Sequence, residues 1–265
     1  MSAISSNRPL RLPATFKEKV WGRTDLSPWF ENQHNKIGEV WFEAGLPLLV
    51  KFVFTSARLS VQVHPDDAFA RVHENSSGKT EMWHVLKAEP GAQIALGFRE
   101  TLSAERLRDA AMSGEIVNLL QWIEVSAGDT FFVPAGTVHA LGAGLAVCEI
   151  QQHSDITYRF YDYGRPRELH LNEAMQVAAL GPAGAHPRNF PVSCPYFHTE
   201  RMSIERRQTI PANDARSRIL IFLTGCGSIA GQPFRQGDAW LVPSGAPGFE
   251  IQAETPVTLL DTRLP

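Results

Sequence analysis

The rhythm of apolar runs between residues 37 and 98 restricts the fold of this chain more than any other feature. The runs Glu39–Phe42, Leu48–Phe54, Leu59–His64, Glu81–Leu86 and Gln93–Phe98 are short and rich in β-branched and aromatic residues. Turn formers such as Gly45, Pro47, Ser76, Gly78, Pro90 and Gly91 separate them. Closely spaced runs of this kind predict an antiparallel sandwich or barrel rather than alternating βαβ units.

Two segments depart from the pattern. Ser103–Ile123 places Leu107, Ala110, Ala111, Ile116, Leu119 and Leu120 at mostly helical spacing, with Gly114 weakening the middle, and predicts one interrupted helix or two short ones. Asn172–Leu180 predicts another helix, with Asn172 as its N-cap and Gly181-Pro182 as its stop. Past Gly181 the composition turns to Gly, Pro and small polar residues (GPAGAHPRNFPVSCP), the signature of a connection between packed units. The expected organisation is therefore a first β unit over residues 1–180, with a helical insert near 103–123, and a linker plus second β unit over 181–265. Apolar runs resume at Ser217–Thr224, Ala239–Pro243, Phe249–Gln252 and Val257–Asp261.

Composition removes several function classes. With 43% apolar and 20% charged residues the chain is an ordinary globular sequence. A net charge of -3 supplies no basic field for a nucleic-acid backbone, so no nucleic-acid partner is expected. Cys148, Cys194 and Cys226 are odd in number and lack a CxxC pair, so a reducing cytoplasm is the expected setting. Met1–Pro13 has no apolar targeting core, and the most apolar stretch, Leu46–Phe54, is too short to span a membrane and carries Lys51.

The two β units echo each other. Residues 128–139 read GDTFFVPAGTVH and residues 237–248 read GDAWLVPSGAPG, with Gly-Asp, Val-Pro and a following Gly in register. His139 in the first copy corresponds to Gly248 in the second. A metal held by the first copy cannot be held the same way by the second.

The first copy has the partners a metal needs. In LSVQVHPDD, Gln62 and His64 lie two apart on a strand and share a face, with Val61 and Val63 on the other. Pro65 and the potential cap Asp66 then start a short helix toward Glu74. Glu81, in GKTEMWHVL, adds a carboxylate at the start of the next strand. Two imidazoles, a carboxylate and an amide oxygen suit zinc in an open site, and equally ferrous iron or manganese. The competing reading is a polar interior whose groups satisfy one another.

Residues 128–139 fit GxxxxxPxGxxH, which resembles the second sequence motif of the cupin superfamily, in which the His enters the jelly-roll barrel as a metal ligand. From about Trp21 to Leu171 the motifs VQVHPDD, GKTEMW and HALGAGLAVCEIQQHSDITYRFYDYGRPRELHL resemble, in order, the short bacterial type I phosphomannose isomerases. The resemblance implies a mostly β cupin fold with a degenerate cupin-like second unit and reversible conversion of mannose 6-phosphate and fructose 6-phosphate with bound zinc. It carries the zinc ligands onto Gln62, His64, Glu81 and His139, the essential arginine onto Arg159, the candidate base onto Glu149 and a site lysine onto Lys79. It implies a sugar phosphate as the partner and is compatible with a monomer. Two other classes compete with this reading: a cupin dioxygenase holding iron on the same His, His and carboxylate set, and a non-catalytic sugar-binding cupin.

Overall fold

The computed structural model describes residues 7–184, 186–212 and 216–265; the first six residues of the expected leader-free N-terminus lie outside them. The first unit comprises β2 (Thr15–Arg23), β3 (Ile37–Glu43), β4 (Leu48–Phe54), β5 (Val61–Val63), α1 (Asp67–His73), β6 (Glu81–Ala88), β7 (Gln93–Phe98), α2 (Ala104–Ser113), α3 (Ile116–Leu119), β8 (Leu120–Glu124), β9 (Thr130–Val133), β10 (His139–Leu141), β11 (Leu145–Gln152), β12 (Tyr158–Tyr161) and α4 (Leu171–Val177), preceded by the two-residue β1 (Leu10–Arg11). The second comprises β13 (Val192–Ser193), β14 (His198–Ile204), β15 (Arg207–Ile210), β16 (Arg218–Thr224), β17 (Cys226–Ile229), β18 (Gln232–Arg235), β19 (Ala239–Val242), β20 (Phe249–Ala253) and β21 (Val257–Arg263).

Each unit is a jelly roll of two antiparallel sheets rather than a continuously bonded cylinder. In the first, a sheet ordered β2-β3-β4-β11-β6-β9 faces one ordered β12-β5-β10-β7-β8. In the second, β1-β19-β16-β21-β14-β13 faces β15-β20-β17-β18. The N-terminal β1 thus pairs with β19 in the second unit's sheet.

Period-two alternation sets what each sheet buries. One face of β4 and β11 sends Leu48, Val50, Phe52, Phe54, Cys148 and Ile150 against Ile219, Ile221, Leu223 and Leu241 of the other unit, so the two six-stranded sheets share one core. At about 1.5–3 kcal/mol per fully buried large side chain, this layer fixes the units together. The opposite faces line the interiors of the two jelly rolls, with Trp83, Val85, Phe131 and Val133 in the first and Leu220, Phe222, Trp240 and Val242 in the second. Val61 and Val63 point outward onto the helices, which leaves their neighbours Gln62 and His64 facing in.

The echo is structural. Gly128 N–H donates to Val85 O and Val85 N–H to Asp129 O, while Gly237 N–H donates to Phe222 O and Phe222 N–H to Asp238 O. Gly136 and Gly245 both turn with positive φ, +84° and +71°, a conformation open to glycine without strain.

The helices need two corrections. Ser103–Ile123 forms two short helices separated by Gly114 in left-handed conformation, but its last residues enter β8 because Leu120 pairs with Phe98. The last helix begins at Leu171, so Asn172 is inside it, and His170 precedes it without a side-chain cap. Asp66 does cap α1, accepting from Phe69 N–H at 2.9 Å. Among the described residues no helix is long and apolar enough to cross a membrane.

Candidate metal centre and active site

Three strands converge on the donor set. Gln62 on β5 lies opposite His139 on β10, and Glu81 opens β6. His64 follows β5 on the same face as Gln62. His64, Glu81 and His139 are buried, with ligand atoms all within 4.8 Å of one another. His139 Nε2 stands 3.5 Å from Glu81 Oε1, and His64 Nε2 stands 3.9 Å from Glu81 Oε2. Donors about 2.0–2.1 Å from one tetrahedral ion are about 3.4 Å apart, so these spacings suit a single cation.

The imidazoles are oriented for that task. His64 Nδ1 is 2.7 Å from Ile156 O and His139 Nδ1 is 2.9 Å from Thr137 O. A carbonyl only accepts, so each Nδ1 carries the proton and each Nε2 turns a lone pair inward. Burial, with the Lys79 ammonium next in importance, pushes His64 well below the usual histidine range and His139 down to about 4, so both are neutral at neutral pH. Gln62 Nε2 lies 3.2 Å from His139 Nε2 and its Oε1 accepts from Ser60 at 3.0 Å. A ligating Gln62 presents Oε1 on the inner side instead, the amide being turned over.

The set already attracts a positive group. Lys79 Nζ sits 2.9 Å from His64 Nε2 and 2.7 Å from Glu81 Oε2. Burial by itself lowers the Lys79 pKa, but Glu81 and Glu149 outweigh it and hold the ammonium above its ordinary range. Lys79 is thus buried rather than a surface charge beside the Ser76–Gly78 turn.

Glu149, on β11, faces the same interior. Its Oε1 lies 3.4 Å from Lys51 Nζ and 3.9 Å from Lys79 Nζ. Burial, then the Glu81 carboxylate, raises its pKa against the opposing pull of Lys79 and Lys51. Arg159 on β12 lies opposite Gln62 in the sheet. Its Nε is buried without a hydrogen-bond partner. Burial and nearby Arg167 lower its pKa.

A narrow pocket opens onto these groups, its wall including Lys51, Gln62, Lys79, Glu149 and Arg159, with His64, Glu81 and His139 buried behind. Lys19 and Arg167 add two more cations to the wall. Lys51 was visible in the sequence only as a charge in an apolar run. That was the available signal, because a lysine inside an all-buried strand needs a partner.

The jelly roll and its buried donors define a cupin-type enzyme with a candidate metal centre. No family model matches the chain. A mannose-6-phosphate isomerase of Streptococcus mutans is 37% identical over 232 residues, covering 78% of this chain and 72% of the relative. The crystal structure of the mannose 6-phosphate isomerase from Bacillus subtilis matches with a TM-score of 0.86 at 28% identity, covering 96% of this chain and 99% of that one. A zinc-bound mannose 6-phosphate isomerase shares the fold, with a TM-score of 0.75 at 15% identity over 96% of this chain and 99% of its own. The chain belongs to the mannose-6-phosphate isomerase family and is an isomerase.

Proposed function

We propose that this chain interconverts mannose 6-phosphate and fructose 6-phosphate, with zinc held by Gln62, His64, Glu81 and His139. The observation that carries the reading is the meeting of a neutral, inward-facing His/Glu/His set with a buried carboxylate, Glu149, beside two ammoniums. The donor chemistry fits zinc. When bound, zinc supplies Lewis-acid polarisation of a substrate oxygen, worth several kcal/mol of transition-state stabilisation.

The remaining chemistry belongs to the chain. Aldose–ketose isomerisation moves a proton between C1 and C2 and develops negative charge on the adjoining oxygens. Glu149 takes and returns that proton from the pocket wall. Its raised pKa brings its basicity closer to neutral pH than that of an exposed glutamate. Lys51 and Lys79 lie against Glu149 and offset developing negative charge. Arg159, with an unpaired Nε and a planar fork, binds the phosphate or an oxyanion, and Lys19 and Arg167 strengthen the positive field. The unit over residues 1–180 carries the reaction and 181–265 supports it, in a cytoplasmic enzyme whose partner is a small sugar phosphate.

A coupled assay for fructose 6-phosphate, run on protein of measured zinc content, tests the proposal. Turnover of mannose 6-phosphate supports it, and zinc-replete protein without turnover overturns it. Oxygen uptake by iron-loaded protein would favour the dioxygenase reading, and sugar-phosphate affinity without turnover the binding one.

A further inference from the structure

Strand register lays four side chains in one row across the inner face of the first unit. Trp41 on β3 pairs with Lys51 on β4, Lys51 with Glu149 on β11, and Glu149 with Trp83 on β6. Lys51 Nζ lies 4.6 Å from the Trp41 ring centroid and 3.4 Å from Glu149 Oε1. Trp83 Nε1–H donates to Glu149 Oε2 at 3.2 Å. The two oxygens of one carboxylate therefore have different partners: ammoniums on Oε1 and an indole N–H on Oε2.

That asymmetry bears on proton transfer. The terminal torsion of a glutamate is broad, so a carboxylate held by point charges alone samples a range of orientations. Proton transfer requires one lone pair to stay aimed at the reacting carbon. An indole N–H is a donor only and carries no titratable proton, so it fixes Oε2 without competing as an acid. Trp83 is 1% exposed, stands beside Glu149 on the neighbouring strand, and is not among the residues that line the pocket. The same ring meets His139 edge-on, with centroids 5.3 Å apart and planes at 72°, and so bridges the carboxylate and the donor set.

We infer that Trp83 is the positioning residue for Glu149, its indole N–H holding the carboxylate in orientation for proton transfer. The inference rests on the proposed role of Glu149. It is tested on zinc-loaded protein by Trp83→Phe, which keeps an aromatic wall and removes the N–H. The expected result is a fall in kcat of about tenfold, the scale of one hydrogen bond to a charged group, with KM within about twofold and zinc per chain unchanged. Replacing Trp83 with benzothienylalanine, which substitutes sulfur for the N–H at nearly constant shape, gives the same comparison without disturbing packing.

A loss of kcat shared by both variants with zinc retained supports the positioning role. An unchanged kcat in the benzothienylalanine protein overturns it, as does a loss that tracks loss of zinc. Inactive zinc-loaded wild-type protein would instead contradict the isomerase reading itself.

Discussion

The register of β16, β19 and β21 laid over that of β6, β9 and β11 puts Arg218 in the place of Glu81, since both pair with the valine that ends the neighbouring strand, Val242 or Val133. It puts Asp261 in the place of Glu149, opposite Leu220 as Glu149 is opposite Trp83. His139 is replaced by Gly248. The turns leading into β9 and β19 are bonded alike, so the backbone is not what distinguishes the units. In the first, the interior holds donors that fit a cation. In the second, a guanidinium occupies that region and pairs with Asp261 at 2.9 Å. The scaffold is common to both, and a handful of side chains decides which interior offers donors for a cation.

The comparison can be broken most forcefully at His139. His139→Ala is expected to lose bound metal and at least about a thousandfold in activity together, by metal analysis and the coupled assay. Retained metal with full activity would erase the distinction between the units. Arg159→Ala comes next: metal content stays at the wild-type level while kcat/KM falls about a hundredfold or more, the scale of one preorganised charge partner.

Strand composition explains why some of this was legible beforehand and some was not. Strands with one apolar face were readable, as were the β9 and β19 turns, because period two and glycine turns are local signals. The strands β2 (TFKEKVWGR), β14 (HTERMSI) and β15 (RQTI) were not, because they are charged or lie largely exposed. Parity on one strand was enough to put Gln62 and His64 on one face, as the structure has them. Glu149 was singled out only through the family resemblance, and that Lys51 and Trp83 lie beside it was not legible. Their significance depends on β11 lying between β4 and β6, and strand order is a tertiary fact that no local pattern states.

A pH measurement separates the buried histidines from the second unit's ion pair. In metal-free protein His139 is held down to about 4 against an ordinary 6.5, with His64 also depressed. The unfolded chain binds these protons from about pH 6.5 downward while the folded chain resists them until the folded pKa is reached. Stability is thus fully present above 6.5 and drains as pH falls toward about 4. The thermal midpoint should fall through this window, with a shallower slope in His139→Gln.

The smallest effect is expected in the second unit. Arg218→Met together with Asp261→Leu should leave specific activity within about twofold and stability within about 2 kcal/mol, since apolar replacement of a buried pair is near neutral. Arg218→Met alone strands the Asp261 carboxylate and should cost about 3 kcal/mol in denaturant unfolding. Activity lost in the double variant at unchanged stability would give the second unit a catalytic part.

The most direct test of the central claim, one metal-dependent isomerase centre located in the first unit, is titration of zinc into metal-free protein while fructose 6-phosphate formation is followed. Activity should rise with occupancy and level off at one zinc per chain. Full activity before zinc is added, or a plateau only at two, would contradict it.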